Sequence, residues 1–119
     1  NDSAIQGLGG MMSSQHIFFA LLFVATIAFI APIMEELIFR GFGTAFFFKN
    51  NQKVLSAIVT SVVFTLPHIT QLTEFPIYFA LGLVLYLSYA RRENIKDSML
   101  VHILNNLPMA IILLLAMFK

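Results

Sequence analysis

The chain has 119 residues, enough for one domain; 59% of them are hydrophobic, 11% are charged, and the formal net charge is +1. Soluble globular domains carry about 45–50% apolar and about 25% charged residues, so a mean hydropathy of +0.86 excludes a soluble monomer and points to an integral membrane protein. A charge this small, with no basic cluster interleaved with aromatics, gives no basis for nucleic-acid binding, and the absence of cysteine excludes disulfides, thiolate metal sites and a cysteine nucleophile.

Residues 1–14, NDSAIQGLGGMMSS, are polar and Gly/Ser-rich. They lack the basic region of a signal peptide and read as a linker into a membrane-embedded core over 15–119. The chain starts at Asn1 rather than Met and is expected to be a piece of a longer protein that carries further membrane segments upstream. His16 precedes the first apolar run and is expected to be interfacial.

The first run, 17–34, has no charge, and Ser13 or Ser14 is placed to cap it. A second, 33–48, is apolar except for Glu35, Glu36 and Arg40. Together they would span about 45–50 Å at 1.5 Å per residue, more than the roughly 30 Å hydrocarbon core. The pattern predicts two helices meeting near Ala31–Pro32, with Pro32 as the break.

Lys49 to Lys53 form a polar turn. A helix is expected over 54–70, with Pro67 near its end, then a turn over 73–76 and a shorter helix over 77–90 that contains Gly82. The charged loop RRENIKD, 91–97, leads to a last helix running to Met117, with Ser98 as the expected cap and Pro108 inside. The expected fold is all-α: a polytopic transmembrane bundle of kinked helices around a polar intramembrane cavity. The 49–53 and 91–97 loops hold Lys49, Lys53, Arg91, Arg92 and Lys96, whereas the intervening loop holds only Glu74. By the positive-inside rule the two basic loops are cytoplasmic.

Ionisable groups cost several kcal/mol at mid-bilayer and mark function there. They occur in three places. In PIMEELIFRGF, Glu36 and Arg40 are four apart in the favourable order for a helical ion pair. Glu35 points about 100° away on a helix, without that partner, as a general base for water activation requires. A charge cluster on an interfacial turn is the plainer explanation of these three residues.

In SVVFTLPHIT, Phe64 and His68 share a face, and His68 beside Glu35 could share a water with it; a helix-packing histidine is the plainer reading. In LVHILNNLP, His102 and Asn106 share a face, as a pair of oxyanion donors would. Interhelical hydrogen bonding explains them more simply, and Asn105, facing elsewhere, reads as such packing.

Taken in order on successive helices, Glu35-Glu36-x-x-x-Arg40, Phe64-x-x-x-His68 and His102-x-x-x-Asn106 resemble the three motifs of the CAAX prenyl protease-like family, also called Abi or CPBP. Pro32 before the glutamates and Phe39-Arg40-Gly41 after them fit as well. The resemblance covers roughly residues 25–115. It implies an all-α membrane endopeptidase in which Glu35 activates water with help from His68. His102 and Asn106 stabilise the oxyanion, and Glu36, Arg40 and Phe64 support the site. The implied substrate is a peptide or protein, prenylated or membrane-bound, met within the lipid bilayer.

No cofactor is expected; were zinc present, Glu35, His68 and His102 would supply three N/O ligands, although no His-Glu-x-x-His motif forces a preformed site. Two other classes fit the composition. One is a peptide-binding membrane protein of the bacteriocin self-immunity kind. The other is a transporter or proton-relay fragment, which needs ionisable groups reaching both faces.

One tension concerns depth. Glu35 and His68 lie about fourteen residues, roughly 21 Å, from the 49–53 loop, whereas His102 lies about five residues, roughly 8 Å, from the 91–97 loop. They meet only if the helices tilt strongly or the last helix begins before Asp97.

Overall fold

The computed structural model describes Asp2, Ser3 and residues 17–119. The remainder of the 1–14 linker, the expected caps Ser13 and Ser14, and His16 fall outside the described residues. Among the described residues the secondary structure is helical throughout, with no strand. Helix α1 is Ile17–Phe47, α2 is Lys53–Thr65, α3 is Phe75–Ala90 and α4 is Ile95–Met117. A 3-10 turn, Leu66–His68, extends α2, and another, Leu72–Glu74, leads into α3.

Three helical runs, Ile17–Phe47, Leu72–Ala90 and Ile95–Met117, are long and apolar enough to cross a membrane, and Lys53–His68 is a shorter apolar helix. Large apolar side chains such as Phe18, Phe46, Val54 and Ile77 are exposed, while Glu36, Arg40, Ser61 and His102 are buried. That inversion of the soluble pattern suits a lipid surround, where helix association relies on close packing and internal hydrogen bonds. The chain is an integral membrane protein.

The chain divides into two compact units, Asn1–Ile33 with Ile103–Lys119, and Met34–His102. In the first, the expected break at Pro32 does not occur: α1 continues through it. The reason lies one turn earlier. Residues Thr26–Ile30 form a π-helical turn, in which the Ala31 N–H reaches back five residues to the Thr26 carbonyl. In that register the next donor would serve the Ile27 carbonyl, but Pro32 has no N–H. The Asn106 side-chain amide supplies the missing donor, with Nδ2 3.1 Å from the Ile27 oxygen. A proline in a membrane helix is tolerated where a side chain re-satisfies the freed carbonyl. Pro108 likewise sits inside α4 without ending it.

In the second unit α2 packs on α3 through small residues. A Cβ placed on Gly82 would lie 3.0 Å from both Cα and Cβ of Ser61, so the two helices approach more tightly here than a larger residue accepts without a shift. The buried face of α2 carries Ser56, Thr60, Ser61, Phe64 and Thr65. Thr60 and Thr65 return their hydroxyls to the carbonyls of Ser56 and Ser61, each at 2.7 Å, which hides polarity without a partner helix.

Helix starts differ from expectation at two places. α3 begins at Phe75, inside the expected turn, with Pro76 in its first positions, where a missing N–H costs nothing. α4 begins at Ile95, not at Ser98. Asn94 is the residue that caps it, its Oδ1 accepting the Lys96 N–H at 3.0 Å. Ser98 lies within the helix, with Oγ donating to the Ile95 carbonyl at 3.1 Å.

Candidate active site

The second unit gathers Glu35, Glu36, Arg40, Phe64, His68 and His102. Arg40 is fully buried on the last π-helical stretch of α1, Leu37–Gly43. Its Nη1 donates to Glu36 Oε1 at 3.1 Å, and its Nη2 donates to the Gly82 carbonyl at 2.7 Å. The four-residue spacing therefore forms the pair it predicts. Burying such a pair is tolerable only when further hydrogen bonds satisfy it, and the Gly82 carbonyl is one of them. The same Glu36 Oε1 also takes His102 Nδ1 at 2.9 Å.

Phe64, fully buried, packs among these groups. Its ring stacks on His68 at 4.4 Å between centroids and meets His102 edge-on at 5.6 Å. The Arg40 guanidinium carbon lies 5.4 Å from its centroid, within reach of a cation–π interaction.

His68 is set by the end of α2. In the 3-10 turn Leu66–His68, Pro67 has no N–H to offer the Phe64 carbonyl three residues back. That oxygen instead meets His68 Nδ1 at 2.6 Å. A carbonyl only accepts, so Nδ1 of His68 carries the hydrogen. Glu36 is likewise an acceptor for Arg40, so Nδ1 of His102 donates to it. With each Nδ1 committed in this way, Nε2 is the ring nitrogen left to face the rest of the site.

Both Nε2 atoms face the same oxygen. Glu35 Oε2 is 3.5 Å from His68 Nε2 and 3.5 Å from His102 Nε2, and it makes no hydrogen bond with either. Glu35 is also more open than its neighbour, 28% exposed against 0% for Glu36. A carboxylate oxygen and two imidazole nitrogens thus converge at 3.5 Å without a direct hydrogen bond, an arrangement a water molecule can bridge. Among the described residues no group of three His, Cys, Asp or Glu side chains is arranged to hold a metal ion.

The depth tension resolves in favour of convergence within this unit: α4 starts before Asp97, so His102 lies seven residues into it. Asn106 belongs to the other unit, where it bonds Ile27 as described. Its amide has a second N–H beyond that one. Asn105 is exposed and donates to Asn106 Oδ1 at 3.3 Å. Gly82 is the structural participant that spacing alone did not single out; a glycine inside an apolar helix pattern is the signal it leaves. Tyr78, whose ring centroid lies 5.6 Å from that of His68, is a second.

The family described as type II CAAX prenyl endopeptidase Rce1-like matches residues 17–108. UPF0177 protein YaiH of Lactococcus lactis subsp. lactis (strain IL1403) is 36% identical over 103 residues, 85% of this chain and 42% of its own. UPF0177 protein YbdI of the same organism is 34% identical over 73 residues, 61% of this chain and 39% of its own. The chain thus spans about two fifths of the length of these curated relatives. No solved structure matches the chain significantly.

Proposed function

The chain belongs to the type II CAAX prenyl endopeptidase Rce1-like family, and on that footing we propose that it forms the working core of an intramembrane endopeptidase in which Glu35 activates water. The observation that carries this reading is the approach of His68 Nε2 and His102 Nε2 to a Glu35 oxygen that has no hydrogen bond of its own.

A water bound to Glu35 Oε2 and His68 Nε2 caps a triangle whose base is 3.5 Å, within reach of ordinary hydrogen bonds to both. Glu35 takes a proton as the water oxygen attacks the peptide carbonyl carbon, and that proton passes to the departing amine when the C–N bond breaks. His102 can give the oxyanion an N–H from Nε2 only when its ring carries both hydrogens, since Nδ1–H is committed to Glu36. The spacing of Asn106 from His102, together with the family motif, assigns Asn106 the second donor. Glu36, Arg40 and Phe64 hold these rings in place. The substrate is a peptide or protein presented in the bilayer, prenylated in the CAAX case.

The basic loops are assigned to the cytoplasmic side. Their common side is supported by the Lys53–Glu93 ion pair at 3.5 Å, which joins one loop to the other, and the sign by their excess of Lys and Arg.

The test is cleavage of a CAAX-type peptide and a small peptide library by the detergent-purified full-length protein, as wild type and Glu35→Gln, with and without a chelator. Cleavage lost in Glu35→Gln and kept in chelator is the expected result. Loss in both arms rejects the metal-free form of the mechanism. Cleavage unchanged by Glu35→Gln rejects the mechanism.

A further inference from the structure

Away from Glu35, a cavity of about 350 Å³ opens where the 49–52 loop meets the 91–94 loop. Lys49, Lys53, Ser56, Tyr86, Tyr89 and Glu93 all contribute to its wall. Two lysines against one glutamate leave the wall with one net positive charge. Glu93 already sits 3.5 Å from Lys53, with both side chains well exposed. It is the acidic group an incoming anion must displace from that lysine.

Ser56 supplies the second, independent observation. It is 2% exposed, and its Oγ has no hydrogen-bond partner. On the same helix the buried Thr60 and Thr65 hydroxyls donate to carbonyls four residues back, and Ser61, the other buried hydroxyl without a partner, lies against Gly82 and outside the cavity wall. Ser56 therefore presents a buried, unused O–H donor at the wall of a positively charged cavity. Buried polar groups left without a partner call for an explanation such as an absent ligand.

The depth of the cavity restricts the ligand. It lies at the ends of α2 and α3, apolar helices in a membrane protein, beside two tyrosines, the residue type enriched at the level of lipid headgroups. Lysine ammonium groups with a hydroxyl donor suit phosphate oxygens, and basic pockets between membrane helices at this level take acidic headgroups. We propose that this cavity is a binding site for an anionic phosphate group, that of an acidic phospholipid headgroup or free phosphate, held by Lys49, Lys53 and the Ser56 hydroxyl.

The experiment measures affinity of the full-length protein in detergent for dioleoylphosphatidylglycerol, dioleoylphosphatidylcholine and inorganic phosphate. Wild type is compared with Lys53→Gln, Ser56→Ala and Lys96→Gln. Lys96 is exposed on the same end and outside the cavity, so its variant removes equal charge without touching the wall. Lys53→Gln and Ser56→Ala are expected to weaken phosphatidylglycerol binding by about tenfold, the scale of one hydrogen bond involving a charged group. Lys96→Gln should change it less than about twofold, as a screened distant charge does. The same pattern for inorganic phosphate, with the two lipids bound alike, assigns the site to free phosphate. No binding of either anion, or equal weakening by Lys53→Gln and Lys96→Gln with Ser56→Ala unchanged, overturns the proposal.

Discussion

Glu35 and Glu36 are adjacent, share a helix and lie at the same depth, yet their surroundings are opposite. Glu36 is sealed, with Oε1 taken by both Arg40 and His102 and Oε2 buried without a partner. Glu35 is 28% exposed as a side chain, and its buried Oε2 lies 3.5 Å from two imidazole nitrogens with no Lys or Arg paired to it. The difference follows from the 100° that separates successive residues on a helix. One carboxylate faces a cation and becomes a strut. The other faces two imidazoles and, on the proposed reading, is the one that meets the reactant. The proposed function thus gives the two glutamates two different jobs.

The sharpest way to break that comparison is to neutralise the open carboxylate. Glu35→Gln is expected to lower kcat for peptide cleavage by about 10²–10⁴-fold, the usual contribution of a positioned general base, measured with a substrate the wild type cleaves. Its thermal unfolding should stay near that of the wild type, because it removes no hydrogen bond from Oε2.

Breaking the strut comes next. Arg40→Met leaves Glu36 buried beside His102 without its cation, and removing one partner of a buried pair costs about 3–5 kcal/mol. Denaturation in detergent should register this as a marked loss of stability, with cleavage falling along with the folded fraction.

A smaller effect sharpens the same point at a distance. Gly82→Ala places a Cβ 3.0 Å from the Ser61 backbone, and overpacking of this kind costs about 1–3 kcal/mol. Since Gly82 also accepts from Arg40, its variant should lose stability in thermal unfolding and resemble a mild Arg40 variant. Asn105→Ala, at an exposed side chain, should stay within about 0.5 kcal/mol of wild type in the same assay.

Local spacing carried much of this into the sequence. The Glu36–Arg40 pair and the Phe64–His68 stack are four-residue relations that helical geometry dictates, and both form. The apolar composition made the membrane helices legible, because so few polar residues interrupt them. What stayed hidden depends on partners far along the chain. The hydrogen bond from His102 to Glu36 joins residues 66 apart. The Gly82 carbonyl that receives Arg40 lies 42 residues away. Pro32 reads as a break because its missing donor is visible in sequence, whereas the amide that replaces it comes from Asn106, 79 residues away from Ile27. Ser98 and Asn94 are both good capping residues; the choice falls to Asn94 because the chain is already helical at Ile95.

The central claim is the division of labour between the two glutamates, and one paired measurement tests it: thermal unfolding and peptide cleavage by Glu35→Gln and Glu36→Gln side by side in the full-length protein. The account predicts that Glu35→Gln unfolds near the wild-type temperature and fails to cleave, while Glu36→Gln unfolds at a clearly lower temperature. Wild-type cleavage by Glu35→Gln, or wild-type stability of Glu36→Gln, contradicts it.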